Sequence, residues 1–340
     1  NISVITRDDI RANPARDLPG ILKSSAGVIV RSLSGSLGID ATVDIRGFGE
    51  SAGSNTLILL DGLRLNPIDA GSVNWSSIPL DSIQRIEIMR GSGTVQYGDK
   101  ATGGVVNIIT DKSGTPRFGA TVGIGTYGTQ TVDINGAAGN DVGYINAFAH
   151  YANTNGWREN NQADQLTLSG RGGVYIGKGE GFLDYSVHKD SSGLPGYLLG
   201  ADYPSQPRKS NFPNDTQRSN GYRLRPGITL PITDSVRLDA EVSLEHQDSH
   251  YDYVSFGSQA DRTRESWSFT PRVRWQHGLG NLASESVFGV DYYSGKVDAT
   301  YSSAPNQNAR QDSAGVYLQN VTAFGAGWSS LLGARYQSMD

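Results

Sequence analysis

The chain has 340 residues, of which 37% are hydrophobic and 43 are glycine, too little apolar side chain for bundled helices. Charged residues make up 19%, and 29 basic against 34 acidic side chains leave a net charge of −5, so there is no basic field to gather nucleic-acid phosphates. Cysteine is absent, which removes disulfide frameworks, thiol nucleophiles and cysteine-ligated metals, and no run approaches the roughly 18 apolar residues of a spanning helix. A β-barrel stays open, because only alternate residues of each strand need face lipid.

Two regions follow one another. Residues 1–113 carry helix signals and short apolar runs, and residues 114–340 alternate polar and apolar side chains between glycine-rich stretches. In the first, Thr6 with Asp9 three residues on has the capping-box pattern, ahead of a short helix that Pro14 limits. A second helix over 17–25 ends at Gly27. Brief strands are expected over 28–30, 43–45, 56–60, 85–89 and 105–110, joined by Gly, Ser and Asn turns. Such a core is marginal alone and safer inside something larger.

In the second region Val236, Leu238, Ala240, Val242 and Leu244 alternate with Arg237, Asp239, Glu241, Ser243 and Glu245, which makes one face dry and one wet. Residues 266–276 repeat the design, although Pro271 falls on the apolar face and requires an edge or bulge. Residues 131–135 and 182–188 do so on a shorter scale. About eleven such segments are expected. Their connections alternate between short (139–142, 177–181, 232–235, 277–281, 324–327) and long (152–164, 191–218, 251–261, 297–313). Sorting of turns by length is the pattern of an outer-membrane barrel, and a soluble sandwich has no reason to show it. Eleven strands would leave unpaired edges in lipid, so the barrel is expected to be incomplete here.

Four motifs in the first region resemble the plug of TonB-dependent outer-membrane receptors. They are Asp44-Ile45-Arg46-Gly47-Phe48; Leu57 to Leu60 followed by Asp61-Gly62; Ile78-Pro79-Leu80-Asp81-Ser82-Ile83-Gln84-Arg85-Ile86-Glu87-Ile88-Met89-Arg90-Gly91; and Tyr97-Gly98 with Gly103-Gly104-Val105-Val106-Asn107-Ile108-Ile109-Thr110. They stand in the family's order and spacing, and Gln84 departs from it where an acidic residue is usual. The resemblance covers residues 1–112 by motif and the rest by barrel pattern. It implies a membrane β-barrel of about 22 strands, roughly half of them present, with an N-terminal α+β plug in the lumen. The signal peptide and TonB box of the family would precede this chain.

What the resemblance implies is an importer of the Gram-negative outer membrane that takes a metal chelate, foremost a ferric siderophore, into the periplasm. A ligand bound at about nanomolar affinity, about −12 kcal/mol, needs outside work for release; in the family that work comes through TonB and its inner-membrane energising complex. Cobalamin, haem or an oligosaccharide are alternative ligands, a passive plugged porin or an adhesin an alternative class, and an N-terminal signalling domain is left open. No G-x-S-x-G elbow proposes an enzyme. A closed barrel has no edge to share, so a monomer in outer-membrane lipid is expected.

Candidate residues follow from the same resemblance. Ligand contacts are expected at the plug apices over 31–34, 49–55 and 66–75, at Arg31, Ser32, Ser51, Asn66, Asp69, Asn74 and Trp75, and in long loops at Trp157, Arg158, Tyr197, Tyr203, His250, Tyr251, Tyr253 and Phe256. Arg46, Arg85, Glu87 and Arg90 are expected to lock the plug against barrel acids such as Asp239, Glu241 and Glu245. Gly47, Gly62, Gly91, Gly98, Gly103 and Gly104 read as backbone necessities, and the glycines at 91 and 93 lack nucleotide-binding spacing. Of the histidines His150, His188, His246, His250 and His277, the pair His246 and His250 would share a strand face about 13 Å apart, too far to hold one ion. Any metal is therefore expected to arrive in its own chelate, with no resident cofactor.

Overall fold

The computed structural model describes residues 2–32, 36–91, 97–98 and 100–340; the positions at Ser34 and Gly93 fall outside them. β1 (Ile2–Thr6) leads into α1 (Arg7–Ala12). Thr6 caps that helix: its Oγ1 accepts the Asp9 amide at 3.2 Å, and its own amide donates to Asp9 Oδ2 at 2.9 Å. α2 (Leu18–Lys23) starts where Asp17 Oδ1 accepts the Gly20 amide at 2.7 Å. Gly27, at φ 76°, turns the chain into β2 (Val28–Ser32), which pairs with β3 (Ala41–Ile45). After the single turn α3 (Ala52–Asn55) come β4 (Thr56–Leu60), β5 (Leu63–Arg64), β6 (Ile83–Arg90) and β7 (Gly104–Thr110). They form a five-stranded sheet with order β1-β6-β7-β4-β5, in which the β4–β7 pair is parallel. β1 was not among the expected strands; its alternating half-exposed pattern lacks a buried run to announce it.

The motifs are structural clips. The buried Asp44 carboxylate accepts the amides of Gly47, Phe48 and Gly49 at 2.8–3.1 Å, with Arg46 and Gly47 both at positive φ. Asp61 accepts the Thr110 amide at 3.0 Å and its hydroxyl at 2.5 Å, which ties the turn after β4 to the end of β7. Ile21, Leu22, Ile45, Ile58, Trp75, Ile83, Ile86, Ile88, Val106 and Ile108 fill one core between the sheet and the helices.

From β8 (Arg117–Ile124) onward the chain is one antiparallel sheet of β9 (Gln130–Gly139), β10 (Gly143–Thr154), β11 (Ala163–Ile176), β12 (Gly179–Gly193), β13 (Thr216–Pro231), β14 (Val236–Tyr253), β15 (Ser258–Phe269), β16 (Arg272–Leu279), β17 (Leu282–Tyr301), β18 (Gln307–Gly325) and β19 (Trp328–Met339). β15 and β16 are one strand broken at Thr270–Pro271: β15 pairs with β14 and β17, and so does β16. The proline takes the interruption it requires, and its carbonyl still accepts from Val290 at 3.0 Å. Short turns at 140–142, 177–178, 232–235, 280–281 and 326–327 lie at one end. At the other end the connections expected over 251–261 and 297–313 shrink to 254–257 and 302–306, because the strands run on.

Pairing gives the strands a common sidedness. On β14, Asp239, Ser243 and Ser249 are buried towards the plug, while Leu244 is 45% exposed on the outside. Val236 sits opposite Trp275 and Leu244 opposite Trp267, so the outward apolar band is bounded by tryptophan at both levels, as a bilayer requires. Above Leu244 the outward positions become His246, Asp248, His250 and Asp252.

Candidate functional site

A cavity of about 1080 Å³ opens between the plug and the long-loop ends of β12 to β15. Its floor is the plug stretch 70–76, with Asp40 beside it and Asp69 just behind. Its wall carries Tyr251, Tyr253, Arg262 and Arg264, all placed on the inward face by the two-residue period; Arg218 borders it but, opposite the outward His250, belongs to the other face of β13. Tyr251 and Tyr253 lie nearly parallel, rings 8° apart in tilt and 5.9 Å between centroids. The Arg262 guanidinium stands 5.5 Å from the Tyr251 ring. Asp69, behind the floor, meets Arg264 at 2.8 Å and Arg262 at 3.8 Å. Burial pushes its carboxyl up, but the charge and hydrogen bond of Arg264, with Arg262 behind it, more than offset this and hold it below the usual carboxylate range. A carboxyl so depressed contributes fully above its unfolded pKa and fails only as pH falls through the lowered one, so the tie is intact at neutral pH. Arg262 and Arg264 beside flat phenol rings, with Asp40 and Asp190 also in the lining, make a chamber that can meet both the oxyanions and the aromatic faces of a ligand.

Beneath it the turn Asn74–Ser77 drives a polar wedge into the barrel wall. Asn74 Oδ1 accepts the Ser77 amide at 3.2 Å, and Ser76 Oγ donates to Asp190 at 2.7 Å. Thr167 donates to the Ser76 carbonyl, Ser186 to the Ser77 carbonyl at 3.0 Å, and Arg223 to Ser77 Oγ at 2.9 Å. Lower down, buried Arg225 donates to the Leu60 and Asp61 carbonyls at 3.3 and 2.8 Å while it pairs with Glu241 at 2.6 Å. Arg117 of β8 and Arg7 of the plug share Asp111 at 3.0 and 2.9 Å.

This lock is not the expected one. Arg85 pairs with Glu87 at 2.8 Å along its own strand, and Arg90 donates to Ser3 and the Ala26 carbonyl, all within the plug. The barrel acids are engaged by barrel arginines, Glu241 by Arg225, Asp239 by Arg237 and Arg272, and Glu245 by Arg223. Arg46 spends its positive φ on the turn after β3. The seating arginines instead sit on the barrel and grip plug carbonyls.

The apical picks divide. Asn74 lines the chamber and Asp69 stands just behind its floor, whereas Asn66 is buried, donating to the Gly53 and Thr56 carbonyls and accepting from Ile58 at 2.7 Å. Trp75 is buried too, its Nε1 donating to the Ala41 carbonyl at 2.7 Å. Both are scaffold rather than contact. Trp75→Ala is therefore expected to cost about 3–5 kcal/mol of plug stability, measured by denaturant unfolding of the plug, and a loss of ligand affinity without loss of stability would contradict its core role. Arg31, Ser32 and Ser51 are exposed, and Ser51 donates to the Phe48 carbonyl at 2.9 Å.

Among the loop picks, Tyr251 and Tyr253 line the chamber, but His250 faces the outside, paired with Asp261 at 2.6 Å and Asp252 at 3.2 Å. Arg158 is a staple, its guanidinium donating to the carbonyls of Gly196 and Lys209 at 2.5 and 2.7 Å. Trp157, Tyr197 and Tyr203 are exposed on the loops; Tyr197 meets Phe212 edge-on, and Phe212 meets Phe256 at 4.9 Å. Sequence reasoning missed Arg262 and Arg264, although two arginines two apart on a strand must share a face.

Residues 1–105 match the family model described as the TonB-dependent receptor plug domain. The Ferrienterobactin receptor of Escherichia coli K12 is 41% identical over 124 residues, 33% of this chain and 16% of that protein. The Ferric enterobactin receptor PirA of Pseudomonas aeruginosa is 28% identical over 319 residues, 85% of this chain and 41% of that one. The Vitamin B12 transporter BtuB of Vibrio cholerae is 36% identical over 149 residues, 43% of this chain and 24% of the transporter. This chain thus spans less than half the length of each of these relatives. In fold it resembles the ferric citrate transporter FecA in its unliganded form, with TM-score 0.85, 17% identity, and cover of 100% of this chain and 56% of that one. The alcaligin receptor FauA from Bordetella pertussis gives 0.77 at 18% identity, over 99% and 55%. Transporters and receptors of this kind are not enzymes. Residues 1–105 thus match the plug-domain family of TonB-dependent receptors, and the whole chain has the fold of a plug seated in about half of such a receptor's barrel.

Proposed function

We propose that this chain is part of an outer-membrane active transporter that binds a ferric siderophore at its extracellular face and releases it to the periplasm with work supplied through TonB. The observation that carries the reading is the chamber: Arg262 and Arg264 with Tyr251 and Tyr253 above a plug floor, in a chain whose relatives include receptors named for ferric enterobactin. Cationic donors and phenol faces suit an anionic aromatic chelate. The metal arrives inside that chelate, so no resident cofactor is proposed. The receptor works as a monomer in the lipid of a Gram-negative outer membrane. A second reading, cobalamin uptake, is favoured by the match to the vitamin B12 transporter.

Titration of the full-length receptor with ferric enterobactin, ferric citrate, haem, cyanocobalamin and a maltooligosaccharide, followed by fluorescence of the exposed Trp157, separates these. Saturable quenching by one ferric chelate near nanomolar concentration, absent with its iron-free form, is expected. Uptake of that chelate is expected to stop when TonB is deleted; uptake unchanged by the deletion would replace the transporter by a passive porin.

A further inference from the structure

Three cavities follow one another down the plug, the uppermost against β12 to β15 and the lower two against β14 to β19. The chamber of about 1080 Å³ is uppermost, one of about 470 Å³ lies below it, and one of about 870 Å³ lies lower still. The upper two share Arg264 and Asn74 in their walls, and the lower two share Arg64 and Tyr293. They therefore abut in a row, a seam whose smallest cavity lies in the middle. At the waist Arg64 lies over the Tyr293 ring, 4.8 Å from its centroid, a contact that parts without leaving a buried charge unsolvated once a polar ligand fills the gap. Beside it the plug loop rests on bare barrel backbone: a Cβ built on Gly295 would stand 2.6 Å from Ile68 Cγ2.

On the other side of this half barrel the plug is held differently. Towards β9 to β13 the plug is fastened by directional bonds, such as Asp81 to Asn135 at 3.0 Å and Ser76 to Asp190 at 2.7 Å. Along the seam the cations each lean on one carboxylate, Arg264 on Asp69 at 2.8 Å, Arg272 on Asp239 at 3.6 Å and Arg335 on Asp291 at 2.6 Å. An oxyanion of a ligand can replace a carboxylate at each in turn, which gives binding at several successive points and a trap at none.

Resting on the import reading above, we propose that an anionic chelate passes from the chamber down this seam, from Arg264 past the Arg64–Tyr293 contact to Arg272 and Arg335, while the plug stays fastened to β9–β13. The route is a hinge-like parting of one side, not expulsion of the plug.

These 340 residues contain no cysteine, and with any cysteine elsewhere in the receptor replaced by serine, introduced pairs react alone. Ile68→Cys with Gly295→Cys places two Cβ atoms within disulfide reach and closes the waist. Asp81→Cys with Asn135→Cys, joined by a short bifunctional thiosulfonate, fastens the other side. Both are tested in cells producing the receptor at full length, with radiolabelled ferric enterobactin, ferric citrate and cyanocobalamin as probes. The waist disulfide is expected to lower uptake at least tenfold with unchanged Kd, reversed by reductant, while the β9 tether leaves uptake within about twofold of wild type. Equal block by both tethers would mean that the plug leaves bodily and would overturn the seam, as would uptake through the closed waist. Should the waist pair fail to assemble, Arg64→Glu is expected to lower uptake of a ferric chelate at least tenfold at unchanged Kd, and full uptake would overturn the proposal. Wild-type cells that import none of the probes would overturn import itself, and the seam with it.

Discussion

Replacing Arg225 with alanine is expected to loosen the plug more than any other single change in the lumen. The side chain is 4% exposed, pairs with Glu241 at 2.6 Å and Asp184 at 3.7 Å, and grips two plug carbonyls at the end of β4. Its loss leaves Asp184 to Arg171, at 2.5 Å, but leaves Glu241 with only the Thr270 hydroxyl at 3.3 Å among the hydrogen bonds described for it. Orphaning a buried charge costs about 3–5 kcal/mol. Where opening of the β4–β5 region carries that cost, its amides should exchange about two to four orders of magnitude faster. Arg225→Lys, which keeps one charge and loses the fork, should fall between. Unchanged exchange in Arg225→Ala would mean that the Asn74–Ser77 wedge holds the plug by itself.

The second large effect is expected at the chamber. Arg264 is committed to Asp69, but Arg262 reaches it only at 3.8 Å and lies against Tyr251, so its charge is the one available to a ligand. Arg262→Ala should weaken binding of an anionic ferric chelate by about 10- to 100-fold, the range of a lost charged hydrogen bond of about 1.5–3 kcal/mol. Binding of cyanocobalamin, which offers the chamber no net negative charge, should change less than about threefold. Equilibrium titration of both ligands decides the matter. If the two fall together, the arginine shapes the chamber instead of neutralising its occupant, and the siderophore reading loses its electrostatic support.

What could be read from the residues alone was whatever a single segment determines. Thr6 and Asp9 announce a cap because both halves of the box lie within one turn. The alternation from Val236 to Leu244 announces a wall with two faces, and Pro271 announces its own interruption. The motif around Asp44 was legible as a motif, although its reason, three amides converging on one buried carboxylate, appears only in three dimensions. Pairings across the lumen were not legible. Arg85 and Glu87 looked like lock residues because they are charges on a plug strand, yet two residues apart on one face they satisfy each other. Asp69 and Arg264 are 195 positions apart, and no local pattern joins them. Trp75 and Asn66 looked like ligand contacts because they belong to an apical stretch; folding that stretch inward turns both into core.

The outward face of β14 stops being apolar at Leu244, but the strand continues to Tyr253. Nine further residues at about 3.3 Å each, inclined as barrel strands are, carry the wall about 23 Å beyond the hydrocarbon. The rim therefore stands clear of the lipid like a chimney. The chamber opens at that height, so its arginines and tyrosines stand above the level of the headgroups. The same height exposes His246, Asp248, His250 and Asp252 sideways as a charged collar, within reach of anything large enough to touch the cell but too large to enter the barrel.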